Sequence, residues 1–132
     1  MNANGWVYFG FIIVTSFFTY FYNYGFPNQV FWDEPYHIAS AQKYLNNVYF
    51  MEQHPPLGKL LIALGEKITH SNPQNDQFID TDYAKGFTDT FSFTGYRLFP
   101  TLLAWLTVPV LFFIFLYITA NPAAASLLSF LY

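Results

Sequence analysis

The chain has 132 residues, five Lys/Arg, eight Asp/Glu, a net charge of −3 and no cysteine. Charged residues make up 10% of it, against about 25% in ordinary globular domains, and every one lies between Asp33 and Arg97. The two charge-free blocks, residues 1–32 and 98–132, cannot form solvated surfaces, which argues against a water-soluble domain and for cover by lipid or protein; without cysteine the redox compartment stays open.

Trp6 to Tyr24 is the first predicted element, a transmembrane helix over 6–24. At about 1.5 Å per residue its length nearly matches a hydrocarbon core of about 30 Å. It lacks the basic n-region of a cleaved signal, and Tyr24-Gly25-Phe26-Pro27 is a poor cleavage site. A polar segment, residues 25–97, follows.

Asp33-Glu34 opens the charged part of that segment. Two explanations stand side by side. One carboxylate could take a proton from an attacking hydroxyl while its neighbour orients the acceptor. Alternatively, the acids cap a helix, with Glu34 as the expected cap before Pro35, where the macrodipole stabilises an acid by about 0.3–1 kcal/mol; capping explains one carboxylate more easily than two. Pro35 suits a first helical position, and Ile38, Ala41, Leu45 and Val48 recur at helical spacing, so Pro35 to Tyr49 is predicted helical, with Lys43 and Asn46 elsewhere on the wheel. Glu34-Pro35-Tyr36-His37 has the Glu-x-x-His spacing of di-iron bundles, but those need the motif twice.

Asn47 to Gln53 reads as a short connection. His54-Pro55-Pro56 is a rigid corner that fixes where His54 points, toward an anionic ligand or merely into a turn. Leu57 to about Thr69 is predicted helical, because Leu57, Leu60, Leu61, Leu64 and Ile68 form one apolar stripe, with Lys59, Glu66 and Lys67 projecting elsewhere. Such a helix is expected along a membrane interface, the competing reading being an ordinary core helix. Ser71 to Thr94 reads as a polar surface loop. Its Asp76, Asp80 and Asp82 lack the offsets of an EF-hand and are expected to be solvated. The many aromatics are assigned mainly to the membrane and its headgroup level.

Arg97 stands where the loop meets the next span. It could snorkel to the interface or bind phosphate with its planar fork, and Lys59 is a second candidate cation. Leu98 to Ala120 is the second predicted span, 98–120, with a kink expected at Pro109. A third apolar run, 122–132, is too short from Ala123 onward to cross a bilayer, so the chain is expected to be the N-terminal part of a larger multi-pass protein. Loop charge leaves the orientation open.

The order of these motifs is specific. A span, then Asp33-Glu34, then Tyr-Phe-x-x-x-His-Pro-Pro-Leu-Gly-Lys-Leu-Leu-Ile (Tyr49 to Ile62), then Arg-Leu-Phe-Pro (Arg97 to Pro100) resembles the N-terminal part of the protein O-mannosyltransferases. More broadly, it is similar to the polyprenyl-phosphate-dependent type C glycosyltransferases. The resemblance implies an all-α membrane enzyme whose first loop is extracytoplasmic, in a bacterial or archaeal plasma membrane or the endoplasmic reticulum. It implies inverting transfer of mannose, or a related sugar, from a polyprenyl or dolichyl phosphate to a hydroxyl of a protein or glycan. Asp33 then sits at the position of the base, Glu34 beside it holds acceptor and site geometry, and His54 and Arg97 fall where donor-phosphate contacts are expected, with Lys59 the further candidate on its residue type alone, an exposed helix position explaining it equally well. Membrane lipid is the remaining partner; no cofactor, metal or nucleic acid is expected. The competing expectation is a non-catalytic membrane protein or assembly partner that keeps a transferase-like loop.

Overall fold

The computed structural model describes residues 3–52 and 54–131. Gln53, in the connection before the corner, and Tyr132, at the end of the third apolar run, lie outside the described residues, as do Met1 and Asn2. Among the described residues the fold is all-α, with no strand: α1 (Ala3–Phe21), α2 (Glu34–Leu45), α3 (Leu57–Thr69), α4 (Thr94–Thr119) and α5 (Pro122–Phe130). Among those residues, α4 alone is long and apolar enough to cross a membrane by length and composition. It begins at Thr94, before the predicted Leu98, and runs on through Pro109. The chain divides into two compact units, Met1–Tyr22 with Thr101–Tyr132, and Asn23–Pro100.

In the first unit, Ile12, Val108, Phe112 and Ala125 from three helices form the buried cluster. α5 starts where Asn121 Oδ1 accepts from the amides of Ala123 (2.9 Å) and Ala124 (3.3 Å), with Pro122 at the position where a missing N–H costs nothing. Hydroxyls inside the helices bond back to their own turns: Thr15 to the Phe11 carbonyl at 2.8 Å, Thr119 to Phe115 at 2.7 Å and Ser129 to Ala125 at 2.8 Å. Large apolar side chains such as Phe11, Phe18, Val110, Ile114, Ile118 and Leu127 remain exposed.

The second unit positions the candidate site. α2 packs on α3. α2 ends earlier than the predicted Tyr49, because Asn47 takes φ +55° and closes a Schellman motif: Val48 N–H to the Lys43 carbonyl (2.9 Å) and Asn47 N–H to the Tyr44 carbonyl (3.3 Å). α3 has the predicted bounds, but its polar side faces inward. Lys59, Ala63, Gly65 and Glu66 are buried, while Leu57, Leu60, Leu64 and Ile68 are exposed. Lys43 of α2 is likewise buried and reaches Asp82 at 2.5 Å. Gly65 is required by close approach, since a Cβ there would strike the Gly95 carbonyl in the first turn of α4.

The expected surface loop between α3 and α4 is in fact much of the core. Phe78, Ala84, Phe91 and Phe93 are buried together with Ile38, Ala39, Ala41, Ala63 and Tyr96. The Phe91 ring meets Phe87 (4.8 Å) and Phe93 (5.0 Å) edge-on and stacks on Tyr96 (5.6 Å). These aromatics therefore serve packing rather than the headgroup level. The loop is also clasped by buried polar groups. Glu66 accepts from the Ser71 hydroxyl and from the Asn72 amide at 2.8 Å. Asn72 exchanges two 2.8 Å bonds with the backbone of Ser92. Gln42 donates to the Tyr96 hydroxyl (3.1 Å) and accepts from the Phe78 amide (2.8 Å). Each clasp supplies a partner for a group that would otherwise be buried unpaired, at about 1–3 kcal/mol.

Candidate active site

The first turn of α4 places Arg97 against the segment before α2. All five guanidinium N–H groups are engaged. Nε donates to Glu34 Oε1 (2.7 Å). Nη1 donates to the carbonyls of Gly25 (2.7 Å) and Pro27 (2.9 Å). Nη2 donates to the Gln29 carbonyl (2.7 Å) and to Glu34 Oε2 (2.9 Å). The planar group also lies over the Phe93 ring at 4.5 Å. Only a planar five-donor fork can meet this set. The predicted phosphate-binding fork is thus already filled by protein. The side chains of Arg97 and Glu34 are 11% and 18% exposed, so the pair is shielded from much of the solvent.

This clamp fixes a tight turn. The Glu34 amide donates to the Phe31 carbonyl (2.8 Å), and the Phe31 amide donates to Glu34 Oε2 (3.1 Å). Trp32 and Asp33 form its tip. Trp32 is held at φ +43°, an uncommon region for a bulky side chain, and is 95% exposed.

The acidic pair therefore divides in two. Glu34 is structural: its carboxylate is spent on Arg97 and Phe31. Asp33 occupies the N-cap of α2, yet its side chain makes no capping bond. Its carboxylate is exposed and has no hydrogen bond or ion pair among the described residues. Capping thus accounts for neither side chain.

The corner after α2 is organised by Glu52, which the sequence did not single out. Glu52 Oε1 accepts from Lys59 Nζ (2.6 Å) and from the His54 amide (3.2 Å). Burial pushes the Glu52 carboxyl upward, but Lys59 and the His54 amide outweigh it and hold it below the usual carboxylate range. Lys59 is buried in this pair, whereas His54 is exposed and its ring makes no bond among the described residues.

Between the two groups sits His37, one turn along α2 from Asp33, with its amide on the Asp33 carbonyl at 3.2 Å. Asp33, Glu52, His54 and Lys59 all act on its charge, but its lowered pKa comes first from burial and then from Lys59. Its Nδ1 is buried and no protein atom among the described residues bonds it. A cleft of about 330 Å³ opens here, lined by Trp32, Asp33, Glu34, His37, Tyr96 and Arg97 among others. Asp33, Glu34 and Arg97 thus share one cleft, while His54 and Lys59 lie at the corner that reaches it electrostatically through His37. In the sequence His37 stands out only as part of a metal-ligand spacing. The usable signal was its place one helical turn after Asp33. No group of three His, Asp or Glu among the described residues is placed to hold a metal ion.

A profile of the family described as dolichyl-phosphate-mannose-protein mannosyltransferase matches residues 10–132. The chain is 30% identical over 115 residues to protein O-mannosyl-transferase 2 of Drosophila melanogaster, covering 83% of this chain and 14% of that protein. It is 34% identical over 104 residues to dolichyl-phosphate-mannose–protein mannosyltransferase 4 of Schizosaccharomyces pombe, covering 78% and 13%. Over a shorter stretch of 58 residues it is 41% identical to protein O-mannosyl-transferase 2 of Danio rerio, covering 44% and 8%. The chain thus spans about a seventh of the length of the first of these relatives. No solved structure matches it.

Proposed function

The chain belongs to the dolichyl-phosphate-mannose-protein mannosyltransferase family, and from that premise we propose that it carries the acceptor side of the active site of an integral, multi-pass membrane glycosyltransferase. The reaction is transfer of mannose from dolichyl phosphate to a hydroxyl of a protein. The observation that carries this reading is the division of the acidic pair: one carboxylate clamped, its neighbour presented unbonded at the tip of a rigid turn.

Asp33 accepts the proton of the acceptor hydroxyl. The freed oxygen attacks the anomeric carbon from the face opposite the phosphate. As the new C–O bond forms, the bond from that carbon to the phosphate oxygen breaks, and the electron pair leaves with dolichyl phosphate. The sugar is delivered with inverted configuration. Glu34 and Arg97 keep the turn in place, which is the positional part of catalysis. His54 stands at the phosphate end, where a ring N–H can meet the charge growing on the leaving group, and Lys59, paired with Glu52, acts there through that corner. Arg97, with its donors occupied, acts there only through the clamp.

Lipid covers α1, α5 and the part of α4 that follows Arg97, all of them free of charge. Their exposed apolar side chains and back-bonded hydroxyls suit a medium that offers no hydrogen bonds. α3 lies in the membrane interface. Its exposed stripe of Leu57, Leu60, Leu64 and Ile68 would each contribute about 1.5–3 kcal/mol on full burial, and water gives no reason to turn that stripe outward.

The test uses membranes from cells expressing the protein, supplied with dolichyl-phosphate mannose labelled in the sugar and with an acceptor protein. Labelled mannose O-linked to the acceptor, with the anomeric configuration opposite to the donor's, is the expected product. Absence of labelled protein while the expressed chain is found bound to another transferase subunit would favour the assembly-partner reading instead.

A further inference from the structure

Building on the role given to Asp33, we propose that His37 is a substrate-binding residue whose imidazole hydrogen bonds a hydroxyl group held in the cleft beside that carboxylate. Three observations converge on it. Nδ1 is buried yet bonded by no protein atom. A buried polar atom left unpaired costs about 1–3 kcal/mol, so a native fold keeps one where something else completes it. The ring lines the same cleft as Asp33 and stands one turn further along the same helix. Finally, most polar groups around it are committed elsewhere, Glu34 to Arg97, Glu52 to Lys59 and the Tyr96 hydroxyl to Gln42 and Asn75, and the open Asp33 carboxylate makes no bond to the ring.

The chemistry selects a hydroxyl. Burial and the neighbouring Lys59 favour the neutral ring. A neutral imidazole presents Nδ1 as an acceptor in one tautomer and as a donor in the other. A hydroxyl can satisfy either, since it both donates and accepts, whereas an ammonium or a carboxylate can satisfy only one. Such a hydroxyl, bonded at once to His37 and facing Asp33, would be oriented for proton transfer by two groups from a single helix turn. The source is either the acceptor's reacting hydroxyl or a hydroxyl of the transferred sugar.

The experiment compares wild type with His37→Leu and His37→Gln in the membrane transfer assay, varying acceptor and donor separately, with thermal unfolding measured on the same preparations. His37→Leu should unfold at the wild-type temperature or above, since it removes an unpaired buried atom, while kcat/KM falls about tenfold or more. His37→Gln, which restores a polar atom, should recover part of the loss. A rise confined to acceptor KM assigns the hydroxyl to the acceptor, and a rise confined to donor KM assigns it to the sugar. Unchanged kinetics in His37→Leu, or a loss matched by loss of folded protein, overturns the proposal. Asp33→Asn run in parallel separates the two ideas. Full turnover by that variant removes the base while leaving His37 to its own result; loss there with unchanged His37→Leu removes only His37.

Discussion

Arg97→Lys keeps the positive charge and removes the fork, so it tests the clamp rather than the charge. Arginine here makes five hydrogen bonds, two to Glu34 and three to the carbonyls of Gly25, Pro27 and Gln29. Lysine has three donors on one nitrogen and can replace at most three of the five. At about 1–1.5 kcal/mol for each lost bond in a partly buried setting, the substitution should cost about 2–3 kcal/mol of stability. Losing the pair outright in Arg97→Ala should cost about 3–5 kcal/mol, because the Glu34 carboxylate is left without its counter-charge. Thermal unfolding in detergent gives the cost, and amide exchange locates it: protection should fall at Phe31 and Glu34, whose amides close the turn. Glu34→Gln combined with Arg97→Lys should cost less than the two single changes added together, since they share one interaction. Arg97→Lys within about 0.5 kcal/mol of wild type, the usual range for inconsequential surface changes, with undiminished protection at both amides, would refute the clamp. If that variant instead bound the phosphorylated donor poorly, the fork would return to the phosphate.

Gly95→Ala should destabilise by about 1–3 kcal/mol or more by overpacking, because the added methyl meets the Glu66 side chain and the backbone of α3. Gly58→Ala, where a Cβ meets nothing within 4 Å, should instead stabilise the helix by about 0.5–1 kcal/mol; equal signs in the two melting temperatures would contradict the packing described. Stability should also fall as pH drops below His37's ordinary value of 6.5. The unfolded chain takes up that proton first, and the half-buried ring in the fold only at lower pH, so acid favours the unfolded state through this window. His37→Leu should flatten this part of a melting-temperature profile between pH 7.5 and 5, and an unchanged slope would place the effect elsewhere.

What could be read from sequence and what could not divide along physical lines. α3 was legible to its last residue because five apolar positions at helical spacing define a stripe. The stripe does not say what covers it, so the inward turn of Lys59 and Glu66 was hidden until their partners Glu52, Ser71 and Asn72 were in place. Ser71 to Thr94 read as solvated because its composition is polar and its phenylalanines follow no period. Its burial depends on Asn72 and Gln42 reaching across 20 and 36 residues to Ser92 and Phe78, and no local pattern records such reach. The same holds for Arg97, whose partners lie 63 to 72 residues away. Asp33-Glu34 stood out as a pair, but only the turn separates the clamped carboxylate from the open one. His37 carried a signal, its spacing from Asp33, that was weighed solely against metal-binding patterns.

The central claim is that Asp33 is the base and that its carboxylate does nothing else in the fold. Turnover of Asp33→Asn, measured with saturating donor and acceptor alongside its melting temperature, tests both halves at once. The account predicts a fall in kcat of about 10²–10⁴-fold, the usual contribution of a positioned base, with melting unchanged because the side chain holds no bond to lose. Turnover near wild type, or a fall in kcat that follows a fall in melting temperature, would contradict it.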